Sequence, residues 1–208
     1  MKKGLFIVLE GGEGVGKSTQ IARLKDYLPA EFPDREFVFT REPGGSPFAE
    51  KIRELIVGDD AKHANGGTMI GLFMASRADH IEHTVGPALK EGKVVICDRY
   101  LASSYAYQIV AQESPELSDI FWAYAKLMPQ PDLTLFLDMD PEASIERLKG
   151  RDDAKSHFDE RAKDFHARVR AGFKRYLEES KTPARTIDTD VPIEDVQTTV
   201  REAIVSVL

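Results

Sequence analysis

The chain has 208 residues, 42% hydrophobic and 30% charged, and 28 Lys and Arg against 35 Asp and Glu give a formal net charge of −7. That length and balance fit one compact domain over residues 1–208 with a sizeable core, and the negative charge disfavours sequence-indifferent binding to nucleic acid or anionic lipid. The lone Cys97 excludes an intrachain disulfide, and no apolar run approaches the roughly 20 residues that span a bilayer, so a cytoplasmic protein is expected, with no nucleic-acid or membrane partner.

The first apolar run, Leu5–Leu9, has strand length and is too short for the core of a secretion signal. It leads into Gly11-Gly12-Glu13-Gly14-Val15-Gly16-Lys17-Ser18, which fits G-x-x-x-x-G-K-[ST], and then into an amphipathic stretch, Lys17–Leu28. Glycines let such a loop curl its N–H groups inward onto phosphate oxygens, and the following helix adds its positive end. In this motif Lys17 reaches the outer phosphates of a nucleotide such as ATP and the Ser18 hydroxyl ligates magnesium, with Thr19 just behind. A second strand, Phe37–Thr40, ends on Arg41-Glu42-Pro43-Gly44-Gly45, a tight turn that can aim Arg41 over a site or simply reverse the chain. Helical spacing covers Pro47–Val57; Gly58–Gly67 is polar and glycine-containing and reads as weakly structured. A long helix is predicted over Met69–Lys90, where Phe73 and Arg77, four residues apart, share a face. They suit a stacked base, though a phenylalanine at helical spacing also suits a core.

A third strand, Val94–Cys97, is followed by Asp98, placed either to hold a magnesium shell or to cap the next helix, and by Arg99, a phosphate-binding guanidinium beside it. Helices are predicted over Leu101–Ala111 and Leu117–Leu127, a strand over Leu133–Leu137 and a helix over Pro141–Lys149. The polar, glycine-containing tract Gly150–His157 suits a lid, set at about 149–158. Asp159–Glu179 and Ile193–Val207 read as helices around a weak strand, Arg185–Ile187. Strand alternating with helix gives an α/β fold with a mostly parallel sheet covered on both faces, and its ligands gather at the carboxyl ends of the strands.

Taken together, Glu10–Gln20, Thr40–Gly45, Leu72–Arg77, Cys97–Tyr100 with Ser103, Ser104, Tyr107 and Gln108, and Pro131–Asp138 resemble the thymidylate kinases, in that family's order and over most of the chain. The resemblance implies a P-loop NTPase-type three-layer fold with a five-stranded parallel sheet flanked by helices. It also implies a homodimer, for which Met69–Lys90 and Leu117–Leu127 are candidate surfaces that core packing would explain equally well. The implied reaction is ATP-dependent, magnesium-assisted phosphorylation of thymidine monophosphate to the diphosphate. Under it, Glu13 lies near the acceptor sugar or metal shell, Arg41 and Arg99 hold the acceptor phosphate, Phe73 stacks on thymine and Arg77 bonds the base edge. Ser104 lies near thymine N3, Tyr107 and Gln108 border sugar and base, and Arg147 flanks adenine.

The family places a catalytic arginine in the phosphate loop or in the lid. Gly12, Glu13, Gly14 and Val15 supply none, which leaves the lid, where Arg147, Lys149, Arg151 and Lys155 are available and Arg151 is the expected catalytic cation. Ser156-His157-Phe158-Asp159 departs from the Asp-Arg pair that many relatives carry there. Three other readings compete: a kinase for another nucleoside or nucleotide, a nucleotide-controlled binding module, and a nucleic-acid-handling ATPase, which the acidic balance and the lack of a basic stripe disfavour.

Overall fold

All five apolar runs become parallel strands in a computed structural model that describes residues 3–149 and 163–208. They are β1 (Leu5–Glu10), β2 (Phe37–Arg41), β3 (Val94–Asp98), β4 (Leu133–Asp138) and β5 (Ala184–Asp188), in spatial order β2-β3-β1-β4-β5. Alternation along each strand sends Phe6, Val8, Val95, Cys97 and Phe136 into one core, and Leu5, Ile7, Leu9, Ile96 and Leu135 into another on the opposite face. Each strand runs one residue past its apolar run, onto Glu10, Arg41, Asp98, Asp138 and Asp188. The parallel ladder continues there, pairing Leu9 with Asp98, Arg41 with Asp98 and Asp138 with Asp188, so the sheet itself carries charge into the carboxyl-end loops.

The helices are α1 (Lys17–Glu31), α2 (Pro47–Val57), α3 (Gly66–His80), α4 (Gly86–Lys90), α5 (Leu101–Ser104), α6 (Ser118–Ala125), α7 (Pro141–Lys149), α8 (Lys163–Ser180) and α9 (Ile193–Val205). Two expected helices are not uniform. Met69–Lys90 starts earlier, at Gly66, because Asn65 accepts from the Thr68 N–H at 2.8 Å and caps a turn that its glycines disguise. It also widens into a π turn at Ile81–Val85, where Gly86 N donates to Ile81 O ahead of Pro87, which has no N–H to give. Leu101–Ala111 is one turn of α5 followed by a π segment, Tyr105–Val110. Gly58–Gly67 is more ordered than its composition suggests: Asp59–His63 forms a 3₁₀ turn before Asn65. The expected lid at 149–158, with Arg151, lies outside the described residues apart from Lys149, which ends α7.

One close approach fixes the site side of the fold. A Cβ on Gly172 would lie 2.7 Å from Ala106 Cα, so α8 rests its backbone directly on the π segment.

Candidate active site

The phosphate loop joins β1 to α1, with Gly11, Gly14 and Gly16 at φ 148°, 75° and 96°. At Gly14 a Cβ would meet Ser144 O at 2.5 Å, so any side chain there is excluded by both φ and space. Lys17 opens α1 and is 6% exposed; its Nζ donates to Gly11 O and Gly12 O, both at 2.9 Å, which holds the ammonium under the loop. Burial first, then the neighbouring Arg99 charge, lowers its pKa to about 8. The negative charge of a phosphate tail would oppose both effects and favour the ammonium.

Arg99 follows β3 at φ 69°, an uncommon conformation for a residue with a side chain. Glu10 holds the turn beyond it. Fully buried at the end of β1, its Oε1 accepts from Tyr100 N at 2.8 Å and Ser103 N at 3.2 Å, and its Oε2 accepts from Ser103 Oγ at 2.6 Å. Burial raises the Glu10 pKa against these bonds and the Arg99 charge. With its backbone held, Arg99 donates from Nη1 to Gly11 O at 2.8 Å and Ser103 Oγ at 3.1 Å, and from Nη2 to Glu13 Oε1 at 2.7 Å. The Tyr107 hydroxyl donates to the same Glu13 oxygen at 3.1 Å, and the Arg99 guanidinium lies 5.3 Å from the Tyr107 ring centre. Burial works against an ionised Glu13, but Arg99 and Lys17 outweigh it and keep this carboxyl below its usual range.

These groups face a cavity of about 170 Å3 lined by Glu13, Arg99, Phe73, Tyr107 and Gln108, and also by Glu42, Pro43, Arg53 and Ser103. Five expected substrate-side residues thus meet in one place. Gln108 brings an amide whose Oε1 and Nε2 are both buried without a hydrogen-bond partner among the described residues, the state of a group built to meet a polar ligand. Arg77 and Ser104 stand behind the lining. Arg77 is 2% exposed and donates from Nε to Glu42 Oε2 at 2.7 Å, and from Nη2 to Tyr100 O and Ser104 Oγ, both at 3.0 Å; its Nη1 is buried with no partner among the described residues.

Arg41 does not join them. It is half exposed, clamped to Glu50 at 2.9 and 3.0 Å, and does not line the cavity. The lining cation from that side is Arg53 of α2, whose Nη1 donates to Pro43 O at 2.8 Å. Sequence reasoning missed Arg53, Glu10 and Glu42. Glu10 and Glu42 had a readable signal, a carboxylate at or just after the end of a strand; Arg53 had none beyond its place on an amphipathic helix.

Across the phosphate loop lies a second cavity, of about 270 Å3, lined by Gly14, Val15, Gly16, Thr19, Arg147 and the edge residues Thr189, Val191, Ile193 and Val196. Arg147 lines this cavity, with Nη2 3.9 Å from Asp190 Oδ1. Ser18 is exposed on the first turn of α1, and Asp98 Oδ1 is buried without a hydrogen-bond partner among the described residues. Both are hard oxygen donors suited to magnesium. A small cleft between loop and α8 adds His166 and Arg170 beside Gly12 and Glu13.

Comparison with known proteins points to a single family. A family model described as thymidylate kinase matches residues 9–200. The chain is 41% identical to the thymidylate kinase of Ruegeria pomeroyi over 204 residues, covering 98% of this chain and 95% of that one. It is 38% identical to that of Alkalilimnicola ehrlichii over 211 residues, covering 99% and 94%. The crystal structure of thymidylate kinase from Ehrlichia chaffeensis superposes with a TM-score of 0.76 at 28% identity, over 97% of this chain and 98% of that one.

Proposed function

Because this chain belongs to the thymidylate kinase family, we propose that its two cavities hold the two substrates of ATP-dependent phosphorylation of thymidine monophosphate. The observation that carries this reading is the phosphate loop as a shared wall: Glu13 faces one cavity, and Gly14, Val15 and Gly16 face the other. ATP lies on the Arg147 side with its outer phosphates on the loop N–H groups and Lys17. The acceptor lies against Phe73 with its phosphate toward Arg99 and Arg53, and with Arg77, Ser104 and Gln108 around its base. Arg41 reaches the phosphate only if Glu50 releases it. The acceptor phosphate is already ionised, so no strong general base is needed and positioning supplies most of the rate. Glu13 contributes by fixing Arg99 and Tyr107.

Asp98 and Ser18 would hold magnesium, the Asp98 oxygen without a partner among the described residues being the observation that favours it. When bound, the ion neutralises charge on the phosphate oxygens. The expected lid cation Arg151 completes the charge around the moving group. A cytoplasmic location is also proposed, in keeping with one buried thiol and with no described helix long and apolar enough to cross a membrane.

ADP release measured over a panel of nucleosides and monophosphates tests the reading. Release should depend on thymidine monophosphate and stop when EDTA removes magnesium. Turnover indifferent to any acceptor would instead make the protein a nucleotide-controlled switch.

A homodimer is proposed on the outer faces of α2 and α3. Phe48 and Leu55 are 59% and 61% exposed, beside the small exposed residues Gly71, Ala75 and Ala78. The covered apolar surface should make the 23.2 kDa chain sediment as a dimer at micromolar concentration, and Leu55→Glu should return it to monomer. A monomeric unsubstituted protein at that concentration would refute the assignment.

A further inference from the structure

Behind Arg77 runs a buried chain of polar contacts that the reaction does not use directly. Glu42 Oε2 accepts from Arg77 Nε at 2.7 Å, and Glu42 Oε1 lies 3.1 Å from His80 Nδ1. His80 Nε2 in turn lies 2.7 Å from Thr40 Oγ1. Arg77, Glu42 and His80 are 2%, 4% and 0% exposed. An ionised carboxylate only accepts, so Nδ1–H donates to Glu42, while Nε2 shares a hydrogen bond with the Thr40 hydroxyl. The ring thus satisfies both ends of the chain through its two nitrogens, leaving the other Glu42 oxygen to pair with the Arg77 guanidinium.

The geometry points to His80 as the residue that sets base specificity: through Glu42 it orients Arg77 so that Nη1 meets the acceptor's base. This rests on the reading that the base lies against Arg77. A guanidinium only donates, so a fixed Nη1, which has no other partner among the described residues, donates to a ring carbonyl and is left unmatched by an exocyclic amino group. A loosely held Arg77 could turn away from the wrong base at little cost, whereas one fixed at Nε by Glu42 and at Nη2 by Tyr100 O and Ser104 Oγ cannot. Glu42 needs an anchor of its own to hold that position. His80 supplies it, from the last residue of the same helix that carries Arg77. The fit is close enough that a Cβ on Gly45 would meet the His80 ring at 2.5 Å.

The test compares His80→Leu, which keeps bulk and removes both hydrogen bonds, with His80→Asn, whose amide can restore the donor to Glu42. His80→Leu should raise KM for thymidine monophosphate about tenfold and lower the preference over deoxycytidine monophosphate by a similar factor, with KM for ATP within about twofold. His80→Asn should recover most of both losses. Equal rises in both KM values, an unchanged preference, or Asn no better than Leu would each reduce His80 to a packing residue and overturn the inference. If His80→Leu does not fold, Thr40→Val is read instead; it should move acceptor KM about threefold in the same direction, and no movement overturns the inference. Arg77→Leu separates the two levels. A retained base preference there sinks the reading of Arg77, whereas loss there with retention in the His80 variants sinks this inference alone.

Discussion

Lys17→Ala is expected to lower turnover about a thousandfold, ~4 kcal/mol of transition-state stabilisation, in a protein that stays folded. The ammonium is held by Gly11 O and Gly12 O under the loop, whereas the nearest other cation, Arg99, is already committed to Gly11 O, Ser103 Oγ and Glu13 Oε1. Folding should survive because, without substrate, this lysine is a strained guest. Burial and Arg99 hold its pKa at about 8, below the 10.5 of a free lysine, so the folded protein is penalised for keeping the proton. That penalty is fully present below about pH 8 and fades as pH rises toward 10.5. At neutral pH, melting of Lys17→Ala should therefore lie within a few degrees of the parent or above it.

The same titration predicts a pH profile. In the free protein Lys17 loses its proton near pH 8, so kcat/KM for ATP should fall above that point, while kcat holds to higher pH because a bound triphosphate restores the ammonium. Near-normal turnover in the alanine variant, or a parent kcat/KM flat from pH 7 to 9.5, would remove Lys17 from its assigned role.

Arg77→Leu should be the most destabilising single change in the acceptor site. It leaves the 4%-exposed Glu42 carboxylate without its cation, a loss of about 3–5 kcal/mol and a fall in Tm of about 10 °C or more for a chain of this length. Adding Glu42→Gln should recover a large part of that deficit by removing the stranded charge, without restoring base preference. Thermal melting of the two single variants and the double variant gives the coupling directly; strictly additive losses would show that the pair is not a unit.

Where the chain's chemistry is local, the sequence was a good guide. The phosphate loop, the five strands and the meeting of Glu13, Phe73, Arg99, Tyr107 and Gln108 follow from glycine spacing, apolar runs and the family's segment order. What escaped was set by tertiary contacts, some short-range and some far apart in sequence. Arg41 belongs to Glu50, and Arg53 lines the cavity, because the Gly44-Gly45 turn brings the start of α2 against the end of β2; no periodicity records that. The carboxylates Glu10 and Glu42 sat in plain view as charges at strand ends, yet their partners lie 90 and 35 residues away. The two π turns were also invisible, since widening a helix by one residue leaves its apolar spacing nearly unchanged.

Position 172 lies mid-helix, touches no substrate and would be passed over in a survey of functional residues. Yet any side chain there must push α8 away from the segment that carries Tyr107 and Gln108, because the nearest obstacle is backbone and cannot swing aside. Mutational tolerance should thus be as low at this interior glycine as in the pocket itself, and even alanine would be felt first as a poorer grip on the acceptor.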